Sequence, residues 1–356
     1  MARRIPDYQQ QLDEQRRKVD VDNYDVTLRE IIKMVQEKEL NRAPDYQRKF
    51  RWSNYDESRL IESLFLGLPI PSIFVATNQN GTWELVDGLQ RVSTLIHFVS
   101  DSPDLLKSIG REQPLVLEGL EKLDTFTGKN YAELPTALQL QFMKRSLRVT
   151  SLSDKSDPDV RFDLFERLNT GGVALSGQEV RACIYRGPFS KLLRNLAHEH
   201  DFSDMLKLQR RRQNDGTKEE FVLRFFALLQ RRSSYTGDLK KFLNASMKEF
   251  SKAFNVAEGK RRFHAACSTL RKLIPGQFVR VDLKVTPLNQ FEGCLVAIGE
   301  MLSRGETPTV TNPHWISDPQ LVEYSTKASN SREKVMGRIR RSIELFGGTV
   351  PEDLAN

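Results

Sequence analysis

Trp83-Glu84-Leu85-Val86-Asp87-Gly88-Leu89-Gln90-Arg91 reads as a β-prone run, a glycine turn and the start of a helix, since the amphipathic stretch Val92 to Val99 follows at once. A strand feeding a helix through glycine is a geometry that gathers backbone N–H groups around an anion. Gly88 permits close backbone approach to a ligand. Asp87 and Arg91 stand four apart across the turn. Asp87 can hold a metal ion or a ribose hydroxyl, and Arg91 can fork onto a phosphate. The plainer reading is a hairpin arm that ends in glycine and carries a surface Asp–Arg pair. On this stretch alone both readings stand.

Upstream, residues 1–24 are polar and read as an arm. Thr27 and Glu30 have capping-box spacing, and Ile31, Ile32, Val35 and Leu40 give an apolar face, so a helix is expected over residues 28–40. Tyr46-Gln47-Arg48 lies in a short aromatic and basic stretch that runs to Trp52 and suits an extended segment or a loop. Asn54 with Glu57 repeats the capping spacing before a helix that Gly67 ends. Ser72 to Ala76, a turn at Asn78-Gln79-Asn80-Gly81 and Thr82 to Val86 make a hairpin.

Downstream, residues 101–134 read as irregular, Thr136 to Lys144 as a helix and Leu147 to Leu152 as a strand. Asp157-Pro158 opens a helix with Val160, Leu164, Phe165 and Leu168 on its apolar face, stopping at Asn169-Thr170-Gly171-Gly172. Ser176-Gly177-Gln178-Glu179 starts another by capping-box spacing, with Arg181 one turn in. A glycine-rich loop opening onto a helix N-terminus is a second candidate phosphate site. From Pro188 the apolar period is helical almost throughout, at Phe189 to Ala197, Glu219 to Leu229, Leu239 to Phe254, Phe263 to Leu273, Phe291 to Leu302 and Val335 to Leu345.

The whole chain of 356 residues suits two domains, at 39% hydrophobic and 28% charged content. No apolar run approaches the roughly 20 residues a membrane span needs, and basic residues at the N-terminus have no apolar core behind them. Cys183, Cys267 and Cys294 are odd in number and far apart, which fits a reducing cytoplasm rather than a disulfide framework. The five histidines are scattered, and His198-Glu199-His200 reads as surface, so no metal site is assigned. The net charge of +7 is unevenly spread. Residues 187–356 hold 28 basic and 19 acidic residues, net +9, against 26 and 28 before them. That half therefore suits a polyanion, with a solvated basic surface as the alternative. Arg210-Arg211-Arg212 is its sharpest cluster; Arg338-Ile339-Arg340-Arg341 reads as the solvent face of a helix.

Three stretches carry a resemblance. They are Tyr46-Gln47-Arg48 with Trp52; Asp87-Gly88-Leu89-Gln90-Arg91; and Phe165 to Gly172 continuing through Leu175-Ser176 and Glu179 to Arg181. In this order they resemble the N-terminal domain of GmrSD-type modification-dependent restriction systems, the "DGQQR" domain of the ParB/sulfiredoxin-like superfamily, over roughly residues 25–187. Leu89 stands where the family has its first glutamine. The resemblance implies an α+β, ParB-like domain with a small mixed sheet at residues 25–187, behind the 1–24 arm, and the helical periods imply an all-helical, basic domain at 188–356. It also implies nucleotide binding, with NTP hydrolysis in several members, coupled to DNA recognition or cleavage in anti-phage defence.

On that reading a nucleoside triphosphate with Mg²⁺ is the expected cofactor. Asp87 positions a divalent ion or water and Arg91 acts beside it as the second catalytic residue. Tyr46, Gln47, Arg48, Gly88, Gln90, Asn169, Thr170, Gly171, Gly172 and Arg181 line the nucleotide, while Arg210, Arg211 and Arg212 meet DNA. Family members take their cutting from an HNH-type nuclease domain at the C-terminal end. Here no DH…N…H arrangement occurs, His314 stands alone and the sequence stops at residue 356, so cleavage is expected from a partner chain. The alternative is a non-enzymatic DNA-binding or adaptor protein that keeps the family skeleton. A nuclease site within the first domain is disfavoured for want of a carboxylate cluster. Sulfiredoxin-like chemistry is disfavoured because no cysteine precedes Cys183.

Overall fold

A computed structural model describes residues 5–16, 20–42, 50, 52–78, 80–153, 162–165, 176–213 and 215–355, with residues 5–7, 14–16 and 211 as backbone alone. The chain divides into two compact units, Met1–Ala174 and Leu175–Asn356. The sequence boundary at 187/188 falls later.

The first unit begins with a helix, α1 (Ile5–Arg16), and a strand, β1 (Val21–Thr27). Residues 21–24, placed in a polar arm by their composition, are thus the edge of a sheet. Every residue of β1 pairs antiparallel with the strand at the unit's end, from Val21 opposite Leu152 to Thr27 opposite Ser146. Backbone hydrogen bonds are indifferent to side-chain polarity, and β1 is largely exposed, so periodicity could not reveal it. Thr27 then caps α2 (Leu28–Gln36), its hydroxyl accepting from Glu30 N at 3.2 Å. Leu28, Ile31, Ile32 and Val35 bury the apolar stripe. The helix stops short of residue 40, and Leu40–Asn41 forms β2.

Helix α3 (Asn54–Leu66) begins one residue earlier in its cap than expected. Ser53 is the N-cap, in a reciprocal box with Asp56. That shift releases Glu57 from capping and turns it inward, where it is fully buried. Gly67 ends the helix in the left-handed region at φ 72°. The expected hairpin follows as β3 (Ile73–Thr77) and β4 (Trp83–Asp87), antiparallel, with a bulge between Phe74 and Val75. Then come α4 (Leu89–Val99), α5 (Pro103–Ser108), α6 (Thr136–Met143) and β5 (Ser146–Leu152). The sheet runs β1-β5-β3-β4-β2, with β5/β3 and β4/β2 parallel. This is an α+β unit with a small mixed sheet. Its core joins Ile31, Ile61, Ile73, Val75, Leu95 and Phe98, and the rings of Phe65 and Phe142 lie 4.7 Å apart between centroids. Of the helix expected from Asp157, residues 162–165 are described and helical, with Phe162 and Phe165 buried.

In the second unit only helices and 3₁₀ turns occur among the described residues. The main helices are α7 (Gly177–Ile184), α8 (Pro188–His198), α9 (His200–Ser203), α10 (Thr217–Arg231), α11 (Leu239–Lys252), α12 (Val256–Leu273), α13 (Leu288–Ser303), α14 (Pro319–Ser325) and α15 (Arg332–Leu345). All six helices expected beyond Pro188 form. An aromatic cluster, including Phe189, Phe202, Phe225, Phe226 and Phe263, fills the core. Each such ring contributes roughly 1.5–3 kcal/mol by leaving water.

Candidate functional site

The Asp87-Gly88 turn has the geometry its sequence suggests. β4 ends at Asp87, Gly88 takes φ 105° and α4 begins at Leu89. Gly88 supplies no side-chain cap, and the positive end of the helix dipole lies at this turn. Glycine is required here twice over. A side chain rarely adopts this φ, and a Cβ would sit 3.2 Å from Ile73 Cγ2. Leu89 packs against the apolar core.

Arg91 faces inward. It donates to Asp87 Oδ2 at 2.6 Å, to the Ser72 carbonyl at 3.0 Å and to the Pro71 carbonyl. Both terminal nitrogens are thereby engaged, and the guanidinium staples the turn to the segment leading into β3. Asp87 remains half-exposed beside the open helix end.

Gln90 reaches the other way. Its Oε1 accepts the backbone N–H of Trp52 at 3.2 Å, and Arg111 donates to the Trp52 carbonyl at 2.7 Å. Trp52 is therefore held through its backbone from two sides. Behind it lies a buried polar network that sequence reading missed. Glu57 accepts from Arg111 at 2.8 Å through Oε1 and from His97 Nδ1 at 2.7 Å through Oε2; His97 Nε2 meets the Gln113 carbonyl at 3.0 Å. Phe50 packs edge-on to His97 and under the Arg111 guanidinium. The only sequence signal was a histidine within the amphipathic stretch Val92 to Val99; Glu57 looked like a cap.

The strand–Gly–helix turn carrying Asp87, Gln90 and Arg91, held by Trp52 on one side and by Pro71-Ser72 on the other, lies within a segment that matches a known domain. Residues 28–186 match the GmrSD restriction endonuclease, N-terminal domain. The resemblance carried by the three sequence motifs is borne out over that segment. No curated protein and no solved structure matches the chain.

The GmrSD segment includes α7, the first helix of the second unit. Tyr46, Gln47 and Arg48 lie outside the described residues, as do Asn169, Thr170, Gly171 and Gly172. Arg48 is four residues upstream of Trp52 in the chain. The Ser176–Glu179 capping box forms as expected, with Glu179 N donating to Ser176 Oγ at 3.2 Å. Arg181 is almost wholly buried in the second unit. Its Nε donates to Gln178 Oε1 at 2.9 Å and its NH2 to Glu220 at 2.6 Å.

That contact starts a ladder of alternating charge through the helices of the second unit. Arg181 meets Glu220, Glu220 meets Arg224 at 2.7 Å, Arg224 meets Glu292 at 3.1 Å, and Glu292 meets Arg338. Gly293 makes room for Arg338, since a Cβ there would lie 2.9 Å from its Cγ. Burial alone would raise the Glu220 and Glu292 carboxyls, but the neighbouring arginines outweigh it and hold both below the usual carboxylate range. The Arg338–Arg341 cluster is thus not a solvent face: Arg338 is buried, and Arg341 pairs with Asp318 and Glu344. Arg210–Arg212 forms a 3₁₀ turn, and the exposed side chains of Arg210 and Arg212 make no ion pair among the described residues.

Cys183, Cys267 and Cys294 are buried free thiols. Among the described residues no three His, Cys, Asp or Glu side chains gather as a metal site, and no helix is long and apolar enough to cross a membrane.

Proposed function

We propose that the first unit binds a nucleoside triphosphate at the Asp87-Gly88 turn and hydrolyses it slowly, and that this controls a DNA-directed restriction activity. The observation that carries the reading is the uncapped α4 N-terminus next to half-exposed Asp87, inside a segment matching the GmrSD N-terminal domain. Open first-turn N–H groups attract phosphate. Mg²⁺ typically takes one or two carboxylates and completes its shell with substrate phosphates and waters, which suits a single aspartate. Bound there, the metal would neutralise phosphate charge. Asp87 would orient it or an attacking water, and Arg48 would add positive charge. Arg91 acts chiefly by holding Asp87 and the turn in place. A ParB-like framework is part of this proposal. So is DNA binding by the basic second unit through Arg210–Arg212, with cleavage supplied by a partner nuclease chain in the cytoplasm.

A second reading, a non-enzymatic DNA-binding or adaptor protein, is favoured by one observation. Both terminal nitrogens of Arg91 are engaged by protein atoms, so the motif can be explained as a brace of the fold. The two separate in one assay. The chain is incubated with each NTP and Mg²⁺, with and without DNA, and phosphate release is followed. Turnover that Asp87→Ala abolishes supports the enzyme; no turnover and no NTP binding under any condition supports the adaptor.

A further inference from the structure

The second unit contains a polar cavity of about 480 Å³ over the charge ladder, and nothing in the nucleotide reading above uses it. Glu220 and Arg224 form part of its wall, with Gln178, Thr217, Phe221 and Asn289 around them. We propose that this cavity binds a nucleobase.

Three features of the wall carry the inference. The first is a flat plate. Arg224 donates from Nε and NH2 to Glu220 and from NH1 to Glu292, and lies 4.6 Å from the centroid of the Phe221 ring. With all three nitrogens tied to carboxylates and one face against Phe221, what Arg224 has left for the cavity is its other, immobilised guanidinium face. Such faces, like aromatic rings, stack unpaired bases.

The second is a fixed donor and a fixed acceptor. Gln178 is buried, and Arg181 Nε holds its Oε1 at 2.9 Å, which leaves Nε2 to donate into the cavity. Asn289 spends Nδ2 on Ser329 Oγ at 2.9 Å and on the Ser325 carbonyl at 3.4 Å, which leaves Oδ1 to accept. A donor and an acceptor, both preset, match the mixed edge of a base. The third is charge balance. Arg224 pairs with Glu220 in the wall and the lining carries one more charge of each sign, Arg212 and Asp215, so its formal charges cancel and the interior suits an uncharged planar ring rather than phosphate. Exposed Arg212 at the lining offers a separate contact for the phosphate attached to such a ring.

The base can belong to a free nucleotide or to a DNA strand, and the test distinguishes them. Isothermal titration of the full chain uses adenosine, guanosine, cytidine and thymidine, with ribose as the control. At least one nucleoside should bind and ribose should not. Gln178→Glu keeps the acceptor for Arg181 but removes the donor, and Asn289→Ala removes the acceptor. Each should weaken nucleoside binding roughly tenfold to a hundredfold, the range of a good base contact. Gln178 and Asn289 both belong to the second unit, so nucleoside binding that each substitution weakens stands even where the phosphate-site reading fails. A single strand carrying 2-aminopurine then identifies the source. A fluorescence rise that free nucleoside reverses shows a strand base in the cavity; nucleoside binding without that rise shows a free nucleotide. No nucleoside binding at millimolar concentration, equal binding of ribose, or wild-type affinity in folded Gln178→Glu and Asn289→Ala chains would overturn the assignment.

Discussion

Arg91 donates to Asp87 across 2.6 Å, yet the two side chains are unequally placed: Arg91 is 12% exposed and Asp87 42%. The arginine is part of the packing and the aspartate faces solvent beside an open helix end. The two halves of one motif should therefore respond differently to mutation.

Asp87→Ala should shift thermal stability little and abolish NTP turnover. Arg91→Ala leaves the Pro71 and Ser72 carbonyls without their donor and should cost about 1–3 kcal/mol, with turnover reduced as a consequence. Melting curves and phosphate release on both variants check this. Equal, large destabilisation by both would reduce the motif to a structural brace.

Glu57 meets both Arg111 and His97 from a fully buried position. Glu57→Ala strands the His97 and Arg111 side chains and should cost roughly 3–5 kcal/mol in urea unfolding. Because Arg111 also holds Trp52, the same variant should speed limited proteolysis at Trp52. A loss below about 1 kcal/mol would show that the network is not formed in solution.

The ladder predicts a pH dependence with a definite sign. Glu220 and Glu292 have folded pKa values below their ordinary value of about 4.3, so the stability they add is complete above that pH and is lost as pH falls through the lower folded values. Glu292→Gln should cost about 3 kcal/mol at neutral pH, because Arg224 and Arg338 stay buried with less compensation. The deficit should shrink as pH drops below about 4. Urea titrations of wild type and variant across this range measure it; a deficit that is constant with pH would mean Glu292 is not ionised in the folded state.

Arg210 and Arg212 are exposed and unpaired among the described residues, so contact with DNA phosphate would not break any ion pair of theirs. Replacing Arg210, Arg211 and Arg212 with Ala should lower the log–log salt slope of DNA binding by up to about three units, at roughly 0.9 per phosphate contact. Affinity for different sequences should fall about equally, since phosphate contacts position without specifying. Fluorescence titrations of labelled duplex at several salt concentrations provide the measurement. Identical slopes would remove the cluster from the DNA interface.

Local rules sufficed for much of this chain. The strand–Gly88–helix turn, the β3–β4 hairpin, the Gly67 stop, the Ser176–Glu179 capping box and the six helices beyond Pro188 all follow from interactions within a few residues, which a linear reading can see. What only the tertiary structure decided depends on partners far apart in the chain. β1 was hidden because its hydrogen bonds go to β5, more than a hundred residues away, through backbone atoms that polarity does not mark. A one-residue shift of the α3 cap to Ser53 turned Glu57 from a surface residue into the buried partner of His97 and Arg111. Arg91 looked free to fork onto phosphate until the Pro71 and Ser72 carbonyls were seen to engage it. Arg338 looked like solvent-facing charge until Glu292 on another helix met it over the space left by Gly293. Residue type and spacing specify local hydrogen bonds and amphipathic faces; whether a charge ends in water or against its counter-charge is set by which helices the folded core brings together.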